Sequence, residues 1–592
     1  MINFKINGIP VQVEAGITIL EAAKKANIKI PTLCYNPDLP AWASCGLCIV
    51  RMAGSPKLVR ACTTPVDGSF EGKEVITHDG EIIKTRRIIL EMILSNHPND
   101  CLQCPRNGNC ELQTISAEFG IRELPYKKVM NDIPIDDSNP AIILCPEKCI
   151  RCGRCVKVCQ EVQNVWALEF LGRGFKGKIA SAADAPLVES PCIKCGQCAA
   201  HCPVGAIYER DDTAKVWKAL HNADLHAVVQ IAPAVRVALA EEFGLEPGTV
   251  FTKKIYAALR RLGFKTVFDT NFSADLTIME EGSELKKRLT EKGSAIPLIT
   301  SCCPAWVDYM EKYYPDMIPN FSTAKSPQQM MGAMIKAYWA GKANVAPEKV
   351  YSVSVMPCTA KKWETRRNDD MKSAGKFLGL EAGYDVDIVI TTRELARMIK
   401  QAGIDILKLD DEEADSPMGP YTGAGTIFGV TGGVMEAAVR SAYYLVTGKE
   451  LPDVNFQPAR GLEGVKEGEV DFGNGLKIRI AVAHQMGNIA KVLDEIRDAK
   501  AAGKEPPYHF VEVMACRGGC IAGGGQPYGA TDEVRSQRTT GLYHDDEKAQ
   551  YRCSHLNPCI AQVYKEFLGE PNGHKAHDLL HTKYVERELY IK

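Results

Sequence analysis

The sequence has no long apolar run: nowhere do the roughly 18 uncharged residues of a membrane-spanning helix follow one another. The opening residues, MINFKINGIP, hold neither a basic stretch before an apolar core nor a twin-arginine pair, so the expected location is cytoplasmic. An excess of one charge is also missing. With 71 Lys+Arg against 73 Asp+Glu there is no basic footprint for nucleic acid. No glycine-rich dinucleotide fingerprint follows an apolar strand pattern and no flavin motif is apparent, which assigns any nicotinamide chemistry to another chain. What is abundant is cysteine, 23 in all. An odd count in a large chain without an export signal argues against a disulfide framework and for metal ligation. At 592 residues the chain is long enough for several domains.

Residues 1–80 read as a β-grasp module. Ile2, Phe4 and Ile6 alternate with polar residues, Asn7-Gly8 supplies a hairpin turn, Val11 and Val13 resume the alternation, and Thr18 to Glu21 is a capping box opening a short helix. Cys34, Cys45, Cys48 and Cys62 then follow as C-x10-C-x2-C-x13-C. Close thiolate pairs on loops beside such a core suit a [2Fe–2S] cluster, with a four-cysteine zinc site as the alternative. Residues 81–140 carry His97, Cys101, Cys104 and Cys110, a set that suits a His-ligated [4Fe–4S] cluster or a structural zinc. Residues 141–212 hold the strongest signal. Cys149, Cys152, Cys155 and Cys159 form C-x2-C-x2-C-x3-C, and Cys192, Cys195, Cys198 and Cys202 repeat it before Pro203. In this two-cluster ferredoxin pattern each fourth cysteine crosses to the other cluster. One [4Fe–4S] cluster therefore takes Cys149, Cys152, Cys155 and Cys202, and the other takes Cys192, Cys195, Cys198 and Cys159. The spacing of the first two modules is similar to that of hydrogenases and of the large iron–sulfur subunit of respiratory complex I.

Residues 213–592 alternate short apolar runs with helical stretches, as α/β architecture requires. Strands are predicted at 227–231, 295–300, 350–355, 386–392, 478–482 and 510–514, and helices at 392–399 and from about 434. Three of these strands run into cysteines: Cys302 and Cys303, then Cys358, then Cys516 and Cys520. Functional crevices of open α/β sheets lie at the carboxyl ends of strands, so these segments are expected to converge. The glycines of Gly523-Gly524-Gly525 would let backbone pass close to a bulky cofactor, or form a tight turn.

The segments TSCCPAW (Thr300–Trp306), MPCTAKKWE (Met356–Glu364), MACRGGC (Met514–Cys520) and GGGQP (Gly523–Pro527) resemble, in order, the signature segments of [FeFe]-hydrogenases. With the accessory modules, the resemblance spans essentially the whole chain. It points to the catalytic subunits of the multimeric NAD(P)-linked, electron-bifurcating group. It implies reversible oxidation of H2 to protons and electrons at an H-cluster, a [4Fe–4S] cubane joined to a two-iron unit carrying CO, CN and azadithiolate. By motif, Cys303, Cys358, Cys516 and Cys520 would hold the cubane, Cys520 bridging to the two-iron unit. Lys361 would pair with a cyanide, Gln328 would bond the unit from the other side, and Met356 and Met514 would wall the pocket. Cys302 would relay protons through Glu281, Ser322 and Glu284; the two glutamates stand at i, i+3 and share one face of a helix. The implied partners are flavin/NAD(P)-binding and thioredoxin-like [2Fe–2S] subunits, and ferredoxin.

Nineteen cysteines and His97 then complete five four-ligand sites, leaving Cys145, Cys302, Cys553 and Cys559. Arg517 stands where many relatives have proline, Ala234 replaces a serine, and RCSHLNPC adds Cys553 and Cys559 beside His555. A further metal site there competes with two buried thiols, the reading the residues favour. Rival functions are an electron-transfer subunit, a hydrogen sensor that would lose parts of the relay, and an assembly protein that would lack the N-terminal clusters.

Overall fold

Asn7 and Gly8 take φ of 51° and 81°, forming the tight turn that pairs Ile2–Ile6 with Ile9–Val13 in register Ile6 to Ile9. This hairpin edges a five-stranded sheet completed by Glu74–Ile76, Ile49–Met52 and Leu58–Arg60. Helix Ile19–Lys25 lies on its apolar face, started by the Thr18/Glu21 capping box. Phe4, Ile6, Val13, Ile19, Ala22 and Val75 form the shared core. Helix Gly80–Ser95, capped by Asp79, delivers His97 just beyond its end.

The structure, a computed structural model, describes residues 1–130, 132–291, 293–473 and 475–591. It falls into two compact units. The smaller comprises Met1–Val162, Trp166–Ser190 and His201–Tyr208, and the larger Gln163–Val165, Pro191–Ala200 and Glu209–Lys592. Packing therefore draws Cys192, Cys195 and Cys198 into the larger unit, so the sequence division at 212 and the packing do not coincide.

The larger unit is built on two four-stranded sheets. In one, all-parallel, the order is Thr266–Asp269, His226–Ile231, Val350–Met356, Ile388–Thr391. In the other, Leu298–Ile299, Phe510–Met514 and Lys477–His484 run parallel and Val465–Asp471 closes the edge antiparallel. Strands buried on both faces read as continuous apolar runs, which is why most were visible in the sequence. The expected strand at 295–300 shrinks to two residues, because Pro297 offers no N–H to the ladder. Cys302, Cys303, Cys516 and Cys520 follow neighbouring strands of one sheet, and Cys358 follows a strand of the other. Helix Thr270–Thr290 carries Glu281 and Glu284 in its second half, and its first three turns are buried almost all round. Among the described residues no helix is long and apolar enough to cross a membrane.

Candidate functional site

Cys303 is the N-cap of helix Pro304–Tyr313, and Trp306 Nε1 ties that helix to the Thr300 carbonyl at 3.1 Å. Cys358 leaves strand Val350–Met356, while Cys516 and Cys520 flank the tight turn after Phe510–Met514. Burial pushes all four thiols up. Beyond burial, Cys516 is raised by Cys358 and Cys303, and Cys520 by Cys303 and Cys358, so the four sulfurs occupy one neighbourhood. Backbone N–H groups of Ala515, Trp306 and Ala305 favour the thiolate of Cys303, and those of Lys361 and Ala360 that of Cys358. Four crowded, desolvated thiols aimed at by amide donors fit an iron–sulfur cubane, which takes four thiolates and tolerates N–H donors on sulfur.

Cys302 lies beside this group. Burial, then Glu281, holds its thiol protonated. Glu281 is buried and neither carboxyl oxygen reaches a hydrogen bond of standard geometry, although the Ser322 and Ser301 hydroxyls are close enough to favour its ionised form. Burial outweighs them, and its pKa is pushed up to about 8. Ser322 Oγ donates to Glu284 Oε2 at 3.2 Å, and Arg288 Nη2 donates to Glu284 Oε1 at 2.7 Å. The structure thus lines up Cys302, Glu281, Ser322 and Glu284, with Arg288 at the outer end.

Lys361 Nζ donates to the Cys302 carbonyl and to Glu364 Oε2, both at 3.0 Å. Gln328 gives its amide N–H groups to Glu364 Oε2 at 3.0 Å and the Lys361 carbonyl at 3.3 Å, and accepts from Ser354 Oγ at 3.0 Å. The expectation that Lys361 and Gln328 turn toward a bound anionic group therefore meets a competitor, the buried carboxylate of Glu364. Lys361 has a third donor left, whereas Gln328 would have to exchange a partner. Met356 and Met514 are buried at the two strand ends.

In the smaller unit, Cys48 Sγ lies 3.3 Å from Cys62 Sγ, the Cys45 N–H reaches Cys34 Sγ at 3.5 Å, and Cys45 and Cys62 stabilise the Cys34 thiolate. The four expected [2Fe–2S] ligands share one pocket. Cys149, Cys152, Cys155 and Cys202 line an apolar cavity with Leu144 and Ile179, so Cys202 joins the first run as the crossed pattern requires. His97 is buried and its pKa lowered by that burial; Asn99 engages Nδ1 at 3.1 Å, which leaves Nε2 for a metal. Cys101 lies in a short 3-10 turn, Cys104 sits against Gly205, and Cys110 caps helix Glu111–Glu118. Among the second run, Cys195 contributes to raising the Cys516 thiol.

Comparison with known proteins follows the same outline. Residues 225–524 match the model described as iron only hydrogenase large subunit, C-terminal domain, and residues 532–587 match iron hydrogenase small subunit. Residues 1–80 match a 2Fe-2S iron-sulfur cluster binding domain, 86–125 the NADH-ubiquinone oxidoreductase-G iron-sulfur binding region, and 148–206 a 4Fe-4S dicluster domain. The NADP-reducing hydrogenase subunit HndD of Solidesulfovibrio fructosivorans is 46% identical over 99% of this chain and 99% of its own length. The chain belongs to the [FeFe]-hydrogenase family. Iron hydrogenase 1 of Clostridium pasteurianum is 38% identical over 98% of this chain and 99% of its own. A solved variant of [FeFe]-hydrogenase HydA1 from Chlamydomonas reinhardtii aligns with a TM-score of 0.56 at 43% identity, covering 64% of this chain and all of that one.

Several residues of this hydrogenase that shape the site were not singled out from sequence. Gln197 Nε2 donates to Cys516 Sγ at 3.1 Å and to the Ala522 carbonyl at 3.1 Å. Glu364 gathers Lys361, Gln328 and Ser326. Its i, i+3 spacing from Lys361 was the available signal. Arg288 follows Glu284 at i, i+4, a readable helix pair. The glycines after Cys520 admit close approach of neighbouring backbone. A Cβ at Gly523 would stand 2.2 Å from the Pro357 carbonyl oxygen, and one at Gly524 2.6 Å from that of Cys195, so the backbone segments around the expected ligands Cys195, Cys358 and Cys520 press on one another here. Arg517 is ion-paired with Asp532 at 2.7 Å near the surface. Ala234 offers only its carbonyl, to Gln526 Nε2 at 2.9 Å.

Proposed function

We propose that this chain is the catalytic subunit of a multimeric cytoplasmic hydrogenase that interconverts H2 with protons and electrons. In this reading Cys303, Cys358, Cys516 and Cys520 hold the H-cluster, which when bound supplies the cleavage of hydrogen and takes up its electrons. Cys302 exchanges a proton at Sγ with the cofactor pocket. Glu281, its proton affinity raised by burial, receives it, and Ser322 and Glu284 pass it on toward solvent, while the Arg288 guanidinium holds the Glu284 carboxylate in place. Lys361 supplies fixed positive charge and Met356 and Met514 exclude water. Electrons leave past Gln197 to the cluster of Cys192, Cys195, Cys198 and Cys159. They continue to the cluster of Cys149, Cys152, Cys155 and Cys202, then to those of His97, Cys101, Cys104 and Cys110 and of Cys34, Cys45, Cys48 and Cys62. Flavin- and NAD(P)-binding and thioredoxin-like [2Fe–2S] subunits, or ferredoxin, accept them; end-to-end similarity to an NADP-reducing subunit supports that assignment.

The observation that carries the reading is the buried Glu281 carboxyl without a regular partner, set between a thiol and the Ser322–Glu284–Arg288 chain. A structural carboxyl would be satisfied, and a relay carboxyl must be able to change partners. The test is anaerobic, hydrogen-dependent viologen reduction by the chain loaded with the two-iron cofactor. Activity that disappears in Cys302→Ala, while infrared bands of CO and CN persist, is the expected result. A fully loaded wild-type chain without activity would overturn the enzyme and leave a sensor.

A further inference from the structure

Glu450, Cys553 and His555 bring a carboxylate oxygen, a thiol sulfur and an imidazole nitrogen within 4.8 Å of one another, far along the sequence from every cluster motif. Their frame is firmly built. Cys553 is the N-cap of the short turn Ser554–Leu556, buried with 3% exposure. Ser554 Oγ and Asn557 Nδ2 anchor that turn on the two oxygens of buried Asp275, at 2.8 and 3.0 Å, and Arg440 Nη1 holds the Arg552 carbonyl at 2.8 Å. The His555 ring stacks on Tyr444 at 4.3 Å, nearly parallel. Its Nδ1 meets Ser441 Oγ at 3.0 Å, and its Nε2 faces Glu450 Oε1 at 3.1 Å.

We infer that Glu450, Cys553 and His555 form a zinc site that clamps the C-terminal segment to the large domain. Imidazole nitrogen, thiolate and carboxylate are a donor set zinc accepts, with solvent completing the tetrahedron on the exposed Glu450 side. The Ser441 contact at Nδ1 is the outer-shell hydrogen bond that fixes a ligating histidine with Nε2 toward the metal. Binding replaces the Nε2–Glu450 contact by two bonds to zinc, the Nε2 proton giving way to one on Nδ1 that Ser441 Oγ accepts, and replaces the Cys553 Sγ–H bond by an S–Zn bond, its proton leaving to solvent. Burial pushes the Cys553 thiol up to about 11 against the opposing charges of Arg440 and Arg552, so it is the metal itself that must displace the proton. The placement gives the site a use. Glu450 falls in the stretch matched by the large-subunit family, and Cys553 and His555 in the stretch matched by the small-subunit family, here joined in one chain. One ion at their junction ties the two together.

The test loads the cluster-complete enzyme with one equivalent of zinc, removes excess by gel filtration, and records zinc content and the zinc-edge X-ray absorption. The expected result is one retained zinc per chain with a single sulfur neighbour at about 2.3 Å and the rest nitrogen or oxygen. Cys553→Ser should lose that sulfur neighbour while keeping its iron content and hydrogen-dependent viologen reduction, which shows that the chain is folded. Glu450→Gln should keep the sulfur and retain less zinc. No retained zinc in the wild type, an all-sulfur shell from occupancy of cluster ligands, or a sulfur neighbour that survives Cys553→Ser would each overturn the inference.

Discussion

Replacing the Glu281 carboxyl by an amide should make the enzyme both less active and more stable. Folding raises this pKa from 4.5 to about 8, chiefly by burial. An acid whose pKa rises on folding holds its proton more tightly in the native state. Its contribution is therefore intact below the unfolded value and is lost as pH climbs toward the folded one. At about 1.4 kcal/mol per unit, the destabilisation reaches about 3 kcal/mol at pH 7 and about 5 kcal/mol beyond pH 8, as a ceiling before the surroundings relax. Glutamine has no charge to desolvate. Glu281→Gln should thus exceed wild type in thermal midpoint by a margin that widens between pH 6 and pH 8.5. The same change removes a proton acceptor, and hydrogen-dependent viologen reduction should fall by about 10²- to 10⁴-fold. Calorimetry at one scan rate, on anaerobic cluster-loaded protein, reads the first effect and a viologen assay the second. A stability difference that stays flat with pH, or a variant keeping a tenth of the activity, would refute the reasoning.

Gln197→Leu deletes the N–H···S contact to Cys516, so the midpoint potential of the cubane proposed to sit on Cys516 should drop while iron content stays constant; a potentiometric titration followed by electron paramagnetic resonance that finds no drop would count against it. Arg393 pairs with Glu209 at 2.7 Å with both side chains buried, and its removal as Arg393→Met should cost about 3–5 kcal/mol. Adding Glu209→Gln should restore part of that loss in chemical denaturation, since Arg397 at 3.3 Å offsets the Glu209 charge less well than the buried Arg393 does. Gly524→Ala would place a Cβ 2.6 Å from the Cys195 carbonyl oxygen, which predicts a loss of about 1–3 kcal/mol and slower reduction of the accessory clusters by H2 in stopped-flow spectra. Arg517→Ala breaks the half-exposed ion pair with Asp532, so stability should change by less than about 1 kcal/mol and the CO and CN bands should not move.

The cysteine runs were legible because a cluster fixes the spacing of the thiolates that hold it, and the strands were legible because double burial demands unbroken apolar runs. What escaped was burial of polar residues. Glu280, Glu281 and Glu284 read locally as an acidic, solvated helix start, yet they lie in the second half of a 21-residue helix whose inner turns are enclosed by the rest of the unit. Glu280 there accepts from Tyr564 and from the Asn572 N–H, and lies 3.1 Å from His581 Nε2, partners about 290 residues away that no local pattern announces. Gln197 between two cysteines looks like any polar loop residue, and only the fold sets it on Cys516. Gly524 reads as a turn glycine, but its Cβ is forbidden by a cysteine carbonyl more than 300 residues earlier.

Adjacent cysteines divide the traffic that the proposed chemistry requires. Cys303 has extended backbone, φ −94° and ψ 107°, and successive residues of extended chain point to opposite sides. Cys303 lies among the sulfurs of Cys358, Cys516 and Cys520, while Cys302, close to Cys303 and Cys520 as well, is the one that feels the Glu281 carboxyl most. From the first side a chain of contacts runs through Cys516 to Gln197 and Cys195, a route suited to electrons because it passes through sulfur and a hydrogen bond. From the second it runs through Ser322 to Glu284, whose carboxylate Arg288 holds, a route suited to protons because hydroxyl and carboxyl groups can both give and take one. Hydrogen oxidation separates two kinds of charge at one point, and a Cys-Cys pair leaving a buried strand is among the shortest pieces of chain that can send them apart. Exchanging the order of roles is not open to the fold: Cys303 caps a helix whose amides stabilise its thiolate, and Cys302 is held protonated by burial beside a carboxyl.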